Sequence, residues 1–120
     1  MQSTSAMRPD RASAPNLKGA APLFAALGDG TRLALLARLS ASGPHSIARL
    51  TVGSTVTRQA ITKHLHVLSA AGLVRHTRRG RERLWHLEPA RLEIARTFLA
   101  GISHLWDTRV TRLRDLVENS

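Results

Sequence analysis

Between Thr57 and Leu87 the hydrophobic period switches from that of a helix to that of a pair of strands. Ile61, Leu65 and Leu68 recur at i, i+4 and i+7, which makes one buried stripe on an α-helix. The other side of that helix carries Arg58, Gln59, Thr62, Lys63 and His66. Thr57 stands where a side-chain oxygen can accept from an orphan N–H of the first turn, and Ala70, Ala71 and Gly72 end the helix. Two short runs follow, Leu73–Thr77 and Arg83–Leu87, around a turn at Gly80, and they read as a β-hairpin. The hairpin holds Arg75, Arg78, Arg79, Arg81 and Arg83 against a single acid, Glu82. A one-striped helix joined directly to a charged hairpin cannot close a core alone. Other helices must cover the stripe.

The flanking sequence supplies them. A first helix is expected over Leu23, Phe24 and Leu27, with Pro22 in its first turn and Gly28 at its end. Asp29 is placed to cap a second helix with Leu33, Leu36 and Leu39 on one face, stopped by Gly43 and Pro44. Ser46 can cap a short third helix holding Ile47 and Leu50. Gly53 then lies in a brief turn before the helix that starts at Thr57, which gives a helix-turn-helix. After the hairpin, Glu88 and Pro89 open a last helix that can run to about Glu118, about 45 Å long. Its apolar residues recur at steps of three and four from Leu92 to Val117, and Phe98, Leu105 and Leu116 widen the stripe. That surface exceeds what so small a core can cover, so a second copy of the chain is the simplest cover. Gly101, in mid-helix, implies a close partner backbone or a bend. The expected fold is mainly α with a β-hairpin wing, a winged helix-turn-helix in the order α-α-α-α-β-β-α. It occupies residues 17–120 behind a mobile, disordered tail of residues 1–16.

Charge and residue usage narrow the function. The formal net charge is +10, and sixteen of the eighteen cations are arginine. Residues 29–87 carry ten cations against Asp29 and Glu82, whereas residues 88–120 carry five of each sign. A basic middle beside a neutral end points to one part that meets a polyanion and another that does something else. Cysteine is absent, which removes disulfides, thiolate metal sites and cysteine nucleophiles. The six histidines, at 45, 64, 66, 76, 86 and 104, form no metalloprotease motif, and His64 and His66 point about 200° apart on a helix. His64 packs toward the third helix or contacts backbone. With eight acids in all, catalysis has little material, so an enzyme is not expected. No run of eighteen apolar residues occurs, and MQSTSAMRPDRASAPN has no apolar signal region, so the expectation is no membrane and a cytoplasmic address.

The stretches LFAALGDGTRLALLARL and TRQAITKHLHVLSAAGLVRHTRRGRERLWHLEP resemble the ArsR-type winged-helix transcriptional repressors over about residues 20–118. The most specific part is Thr57–Arg75 with its RRGRE wing. The resemblance implies a homodimer that binds a partly palindromic double-stranded DNA operator, blocks transcription and is released by a signal. The repressor sign comes from the resemblance; the residues argue for binding. Gly30 follows Asp29 where the family often has proline. The family's metal-sensing cysteines are missing. Of its second metal site, built from Asp and His on the C-terminal helices, His86 and Glu88 lie at the beginning and the second spaced His pair is missing; His104 and Asp107, one turn apart, are the alternative ligands. The chain therefore looks closer to the metal-independent branch, and neither a cofactor nor a metal is expected.

These readings assign roles. Arg58 is the candidate for guanine and Gln59 for adenine, because each can bond two atoms of one base edge in the major groove. Thr57, Thr62 and Lys63 are candidates for phosphate, and His66 shares their face. Arg75, Arg78, Arg79 and Arg81 of the wing are candidates for phosphate or a minor groove. Trp85 is expected under the hairpin. The dimer is expected to use Leu23 and Phe24 of the first helix with Leu99, Ile102, Trp106, Val110 and Leu113 of the last, placing the two recognition helices about 34 Å apart. A winged-helix module that binds protein and a nonspecific architectural binder of nucleic acid are the alternatives.

Overall fold

The structure, a computed structural model, describes residues 17–119; the expected tail lies outside them. Five helices and two strands follow one another: α1 (Leu17–Leu27), α2 (Gly30–Ser42), α3 (Ile47–Thr51), α4 (Arg58–Ala70), β1 (Val74–Arg79), β2 (Glu82–Leu87) and α5 (Pro89–Glu118). Three of the helices start on the same local device. The Asp29, Ser46 and Thr57 side chains accept from the backbone N–H groups of Arg32, Arg49 and Ala60, each three residues on. Each satisfies a donor that the first turn leaves open.

The end of α4 sets the direction of the wing. Gly72 has φ +79°, Gly72 N–H donates to Ser69 O at 2.9 Å, and Leu73 N–H donates to Leu68 O at 2.9 Å. This pair of bonds is a Schellman stop, which needs the left-handed conformation that glycine adopts freely. The chain then passes straight into β1. β1 and β2 pair antiparallel in the register Val74–Leu87, His76–Trp85, Arg78–Arg83 on one face and Arg75–His86, Thr77–Leu84, Arg79–Glu82 on the other. His45, ahead of α3, exchanges both backbone bonds with Trp85, at 3.0 and 2.8 Å. One hydrophobic cluster takes residues from all seven elements, from Leu23 of α1 to Ala95 of α5.

Three local expectations change. The first helix begins at Leu17, so Pro22 lies inside it and not in its first turn. Starting earlier lets Ala20 join Leu23 and Ala26 on the buried side, and exposed Pro22 forfeits one helical bond for that. The buried stripe of α2 is Leu35, Leu36 and Leu39; Leu33 is 50% exposed. α2 packs against α1, α4 and β2 at once, and that set of neighbours turns Leu35 inward in place of Leu33. The strands also run closer to the turn than expected, leaving Gly80, at φ +65°, and Arg81 as a two-residue loop.

Candidate nucleic-acid interface

α4 presents its polar side because its apolar side is fully used. Ile61, Leu65 and Leu68 are at most 1% exposed. At about 100° per residue, Gln59, Lys63 and His66 fall opposite that stripe, whereas Arg58, in the first turn, comes out on the stripe's flank, about 50° from its centre. Thr57, Arg58, Gln59, Lys63 and His66 are all exposed, and Thr62 is half-buried. The N-terminus of α4 adds the positive end of a helix dipole to this face.

The two threonines differ in what they can offer. The Thr57 oxygen accepts from Ala60 N–H, so its own hydrogen stays available to donate to a phosphate. The Thr62 hydroxyl donates to Arg58 O at 2.9 Å. It has only lone pairs left, which a phosphate oxygen cannot use. Thr62 thus fits the phosphate role poorly. Val67, 42% exposed one turn beyond Lys63, adds an apolar patch to the outer face that no polar pattern in the sequence marks.

Two arginines brace the motif from behind. The Arg38 guanidinium donates to Leu50 O at 2.9 Å and Arg49 O at 2.7 Å, closing the carbonyl end of α3. Arg32 donates through Nε to Ala26 O at the end of α1. Its other end lies 3.3 Å from His64 Nδ1, and Asp29 Oδ2 lies 3.8 Å from the same nitrogen. His64 therefore has polar neighbours at the start of α2. The Arg32 N–H bond is the main cause that holds the Asp29 carboxyl below the usual aspartate range; desolvation opposes it, and the neighbouring His64 and Arg32 side chains lower it further. A carboxyl more acidic in the folded chain supports the fold above its unfolded pKa, about 4, and loses that support as pH falls through the folded value. Asp29→Asn keeps the cap but not the charge. The melting temperatures of wild type and variant are expected to converge on acidification below about pH 4; a gap that stays constant would refute this account of Asp29.

Strand register sorts the wing arginines. On the face that includes buried Val74 and Trp85, the next rung outward is Arg78 opposite Arg83. Both are exposed, as are Arg79 and Arg81. Arg78 Nε also makes a long bond, 3.4 Å, to Gly80 O within the turn. Arg75 sits at the base of the other face with its Nε 2.8 Å from Glu88 Oε2. It already has a carboxylate, so it fits the phosphate role less well than the tip residues. Arg83 was not among the assigned contacts; the two-residue alternation of the strands groups it with Arg78.

α5 leaves its second half uncovered. Among the described residues of α5 only Ala95 is buried. Leu99 is 53% exposed, Ile102 45%, Trp106 62% and Leu113 58%, and Val110 is half-buried. At the near end, half-buried Phe24 of α1 meets Phe98 with ring centroids 5.4 Å apart. Leu23, expected at the interface, is 1% exposed in the core of its own protomer. Phe24, next to it, is half-buried and packs against both that core and Phe98. His104 and Asp107 are exposed on α5. Among the described residues no cluster of three or more His, Asp or Glu could hold a metal ion, and no helix is long and apolar enough to cross a membrane.

Comparison with known proteins agrees with this geometry. The profile of a family described as a helix-turn-helix domain matches residues 27–77. An HTH-type transcriptional regulator of Mycobacterium tuberculosis is 36% identical over 94 residues, covering 78% of this chain and 84% of the relative. An uncharacterized HTH-type transcriptional regulator of Bacillus subtilis, YuzN, is 43% identical over 68 residues, 52% of this chain and 74% of the relative. Among solved structures, an ArsR-like transcriptional regulator from Rhodococcus superposes with a TM-score of 0.71 at 35% identity, over 82% of this chain and 92% of that one.

Proposed function

Because this chain belongs to the ArsR-type helix-turn-helix transcriptional regulators, which are DNA-binding proteins and not enzymes, we propose that it acts as a homodimeric repressor on a partly palindromic operator. In this reading α4 lies in the major groove. Arg58 and Gln59 read bases, Thr57 and Lys63 hold phosphates, and the wing adds Arg78, Arg79, Arg81 and Arg83. Phe24 and the outer half of α5 meet their copies in a second protomer. A cytoplasmic address goes with access to DNA. The absence of cysteine suits the metal-independent branch, so release depends on a signal other than thiolate metal binding.

One observation carries the proposal most. The exposed polar face of α4 and the outer arginine rung of the wing flank the same element, Trp85, whose ring meets His66 of α4 and His76 of β1. Helix and wing therefore offer cations to one neighbouring surface, as a duplex requires. Selection of bound sites from a random duplex pool is the direct test, and two related half-sites about one turn apart are the expected result. No preferred site would leave a nonspecific architectural binder. Arg58→Ala and Gln59→Ala are each expected to cost about 1–3 kcal/mol on the selected site and to relax preference at one base pair. Unaltered base preference in both variants would mean that the reading face is elsewhere.

A further inference from the structure

We propose that Trp85 is a positioning residue for DNA binding: it locks the wing to the recognition helix and so sets where the Arg78–Arg83 pair meets the duplex. This rests on the reading that α4 and the wing touch DNA together. A two-stranded hairpin is marginal by itself, so its direction must come from what its base grips. Here the base grips through Leu73, Val74 and Trp85, all buried in the core, and Trp85 is the one of them nearest the tip. Trp85 is 2% exposed, and its backbone is bonded in both directions to His45 ahead of α3. Its ring lies 4.8 Å from that of His76 on β1 and 6.2 Å from that of His66 on α4, tilted by 60° and 53°. Both separations fall in the range of favourable aromatic pairs. One residue thus ties the wing, the recognition helix and the segment ahead of α3.

Two features argue that stability alone does not explain a tryptophan here. Its indole N–H is buried and has no hydrogen-bond acceptor among the described residues. A phenylalanine would fill much of the space without that desolvated donor. What the indole adds is breadth, two fused rings that reach both imidazoles. Beyond it, on the same strand face, comes the Arg78–Arg83 rung. Two like charges directly opposite each other disfavour the hairpin, and a phosphate chain would relieve them. Trp85 holds this rung at a set distance from Arg58, Gln59 and Lys63, so that base reading and phosphate gripping are in register.

The test measures the slope of log affinity against log salt for a random-sequence duplex, alongside thermal melting. Trp85→Phe is expected to melt within about 4 °C of wild type. Its slope should nevertheless flatten by about two units per protomer, the loss of two phosphate contacts. His76→Ala, at an exposed position, should flatten the slope likewise, and Trp85→Phe with His76→Ala should flatten it no further than either alone. Leu36→Val, a core truncation in α2, should melt lower and keep the wild-type slope. A wild-type slope in Trp85→Phe, equal flattening in Leu36→Val, or additive effects of Trp85 and His76 would each overturn the proposal. If Trp85→Phe fails to fold, His76→Ala decides alone, by the same criterion. A wild type without salt dependence would instead remove the DNA reading itself.

Discussion

Raising salt from about 50 to 200 mM is expected to weaken operator binding about 10³- to 10⁵-fold. The magnitude follows from counting cations that face outward together. Arg58 and Lys63 are exposed on α4, and Arg78, Arg79, Arg81 and Arg83 are exposed on the wing. Three to five of them on phosphate in each protomer make about six to ten contacts in a dimer, and each contributes nearly one unit of slope. Arg75 is left out because Glu88 already holds it. Replacing Arg78 and Arg83 together by alanine should flatten the dimer's slope by about four units while leaving base preference in place. Titration of labelled duplex at several salt concentrations measures both. A shallow slope in the wild type would favour a winged-helix module that binds protein, for which ten cations against two acids over residues 29–87 have no use.

Trp106→Ala is expected to weaken the dimer by about 2–4 kcal/mol, roughly 30- to 1000-fold, as truncation of a central aromatic anchor typically does. The protomer should fold as before. Trp106 is 62% exposed in the single chain and makes no part of its core, and within α5 the core reaches only Ala95. The effect should appear as dissociation at higher concentration in sedimentation, and as a parallel loss of operator affinity, because an isolated protomer can hold only one half-site. A Trp106→Ala dimer of wild-type strength would place the seam on another surface. Leu105 and Leu116, 48% and 69% exposed, flank the proposed seam on α5.

The starts of the four helices after α1 could be read in advance, because the chemistry involved spans three or four residues. Asp29, Ser46 and Thr57 each bond an N–H three positions on. The stripe Ile61, Leu65 and Leu68 needs only the helical period to declare its buried side. The same locality made the exposed face of α4 legible as a polar helix ahead of a basic wing. Where several elements compete for one side chain, local pattern was not enough. Leu33 and Leu35 are equally apolar, and only the joint arrival of α1, α4 and β2 on α2 selects Leu35. Pro22 argues locally for a helix start, yet burial of Ala20 carries the helix back to Leu17.

The arginines separate in the same way. Sequence determined how many cations the wing carries and that they outnumber its acids. Tertiary structure decided which of them are free. Strand register put Arg78 and Arg83 on the rung beyond Trp85, and the turn into α5 brought Glu88 onto Arg75. It also put Asp29 and Arg32 beside His64. Helical period and capping are properties of the backbone within one turn, and so the residues alone express them. The partner of a long, flexible, charged side chain is set by whichever distant segment folds against it, and that is known only once the chain has closed on itself.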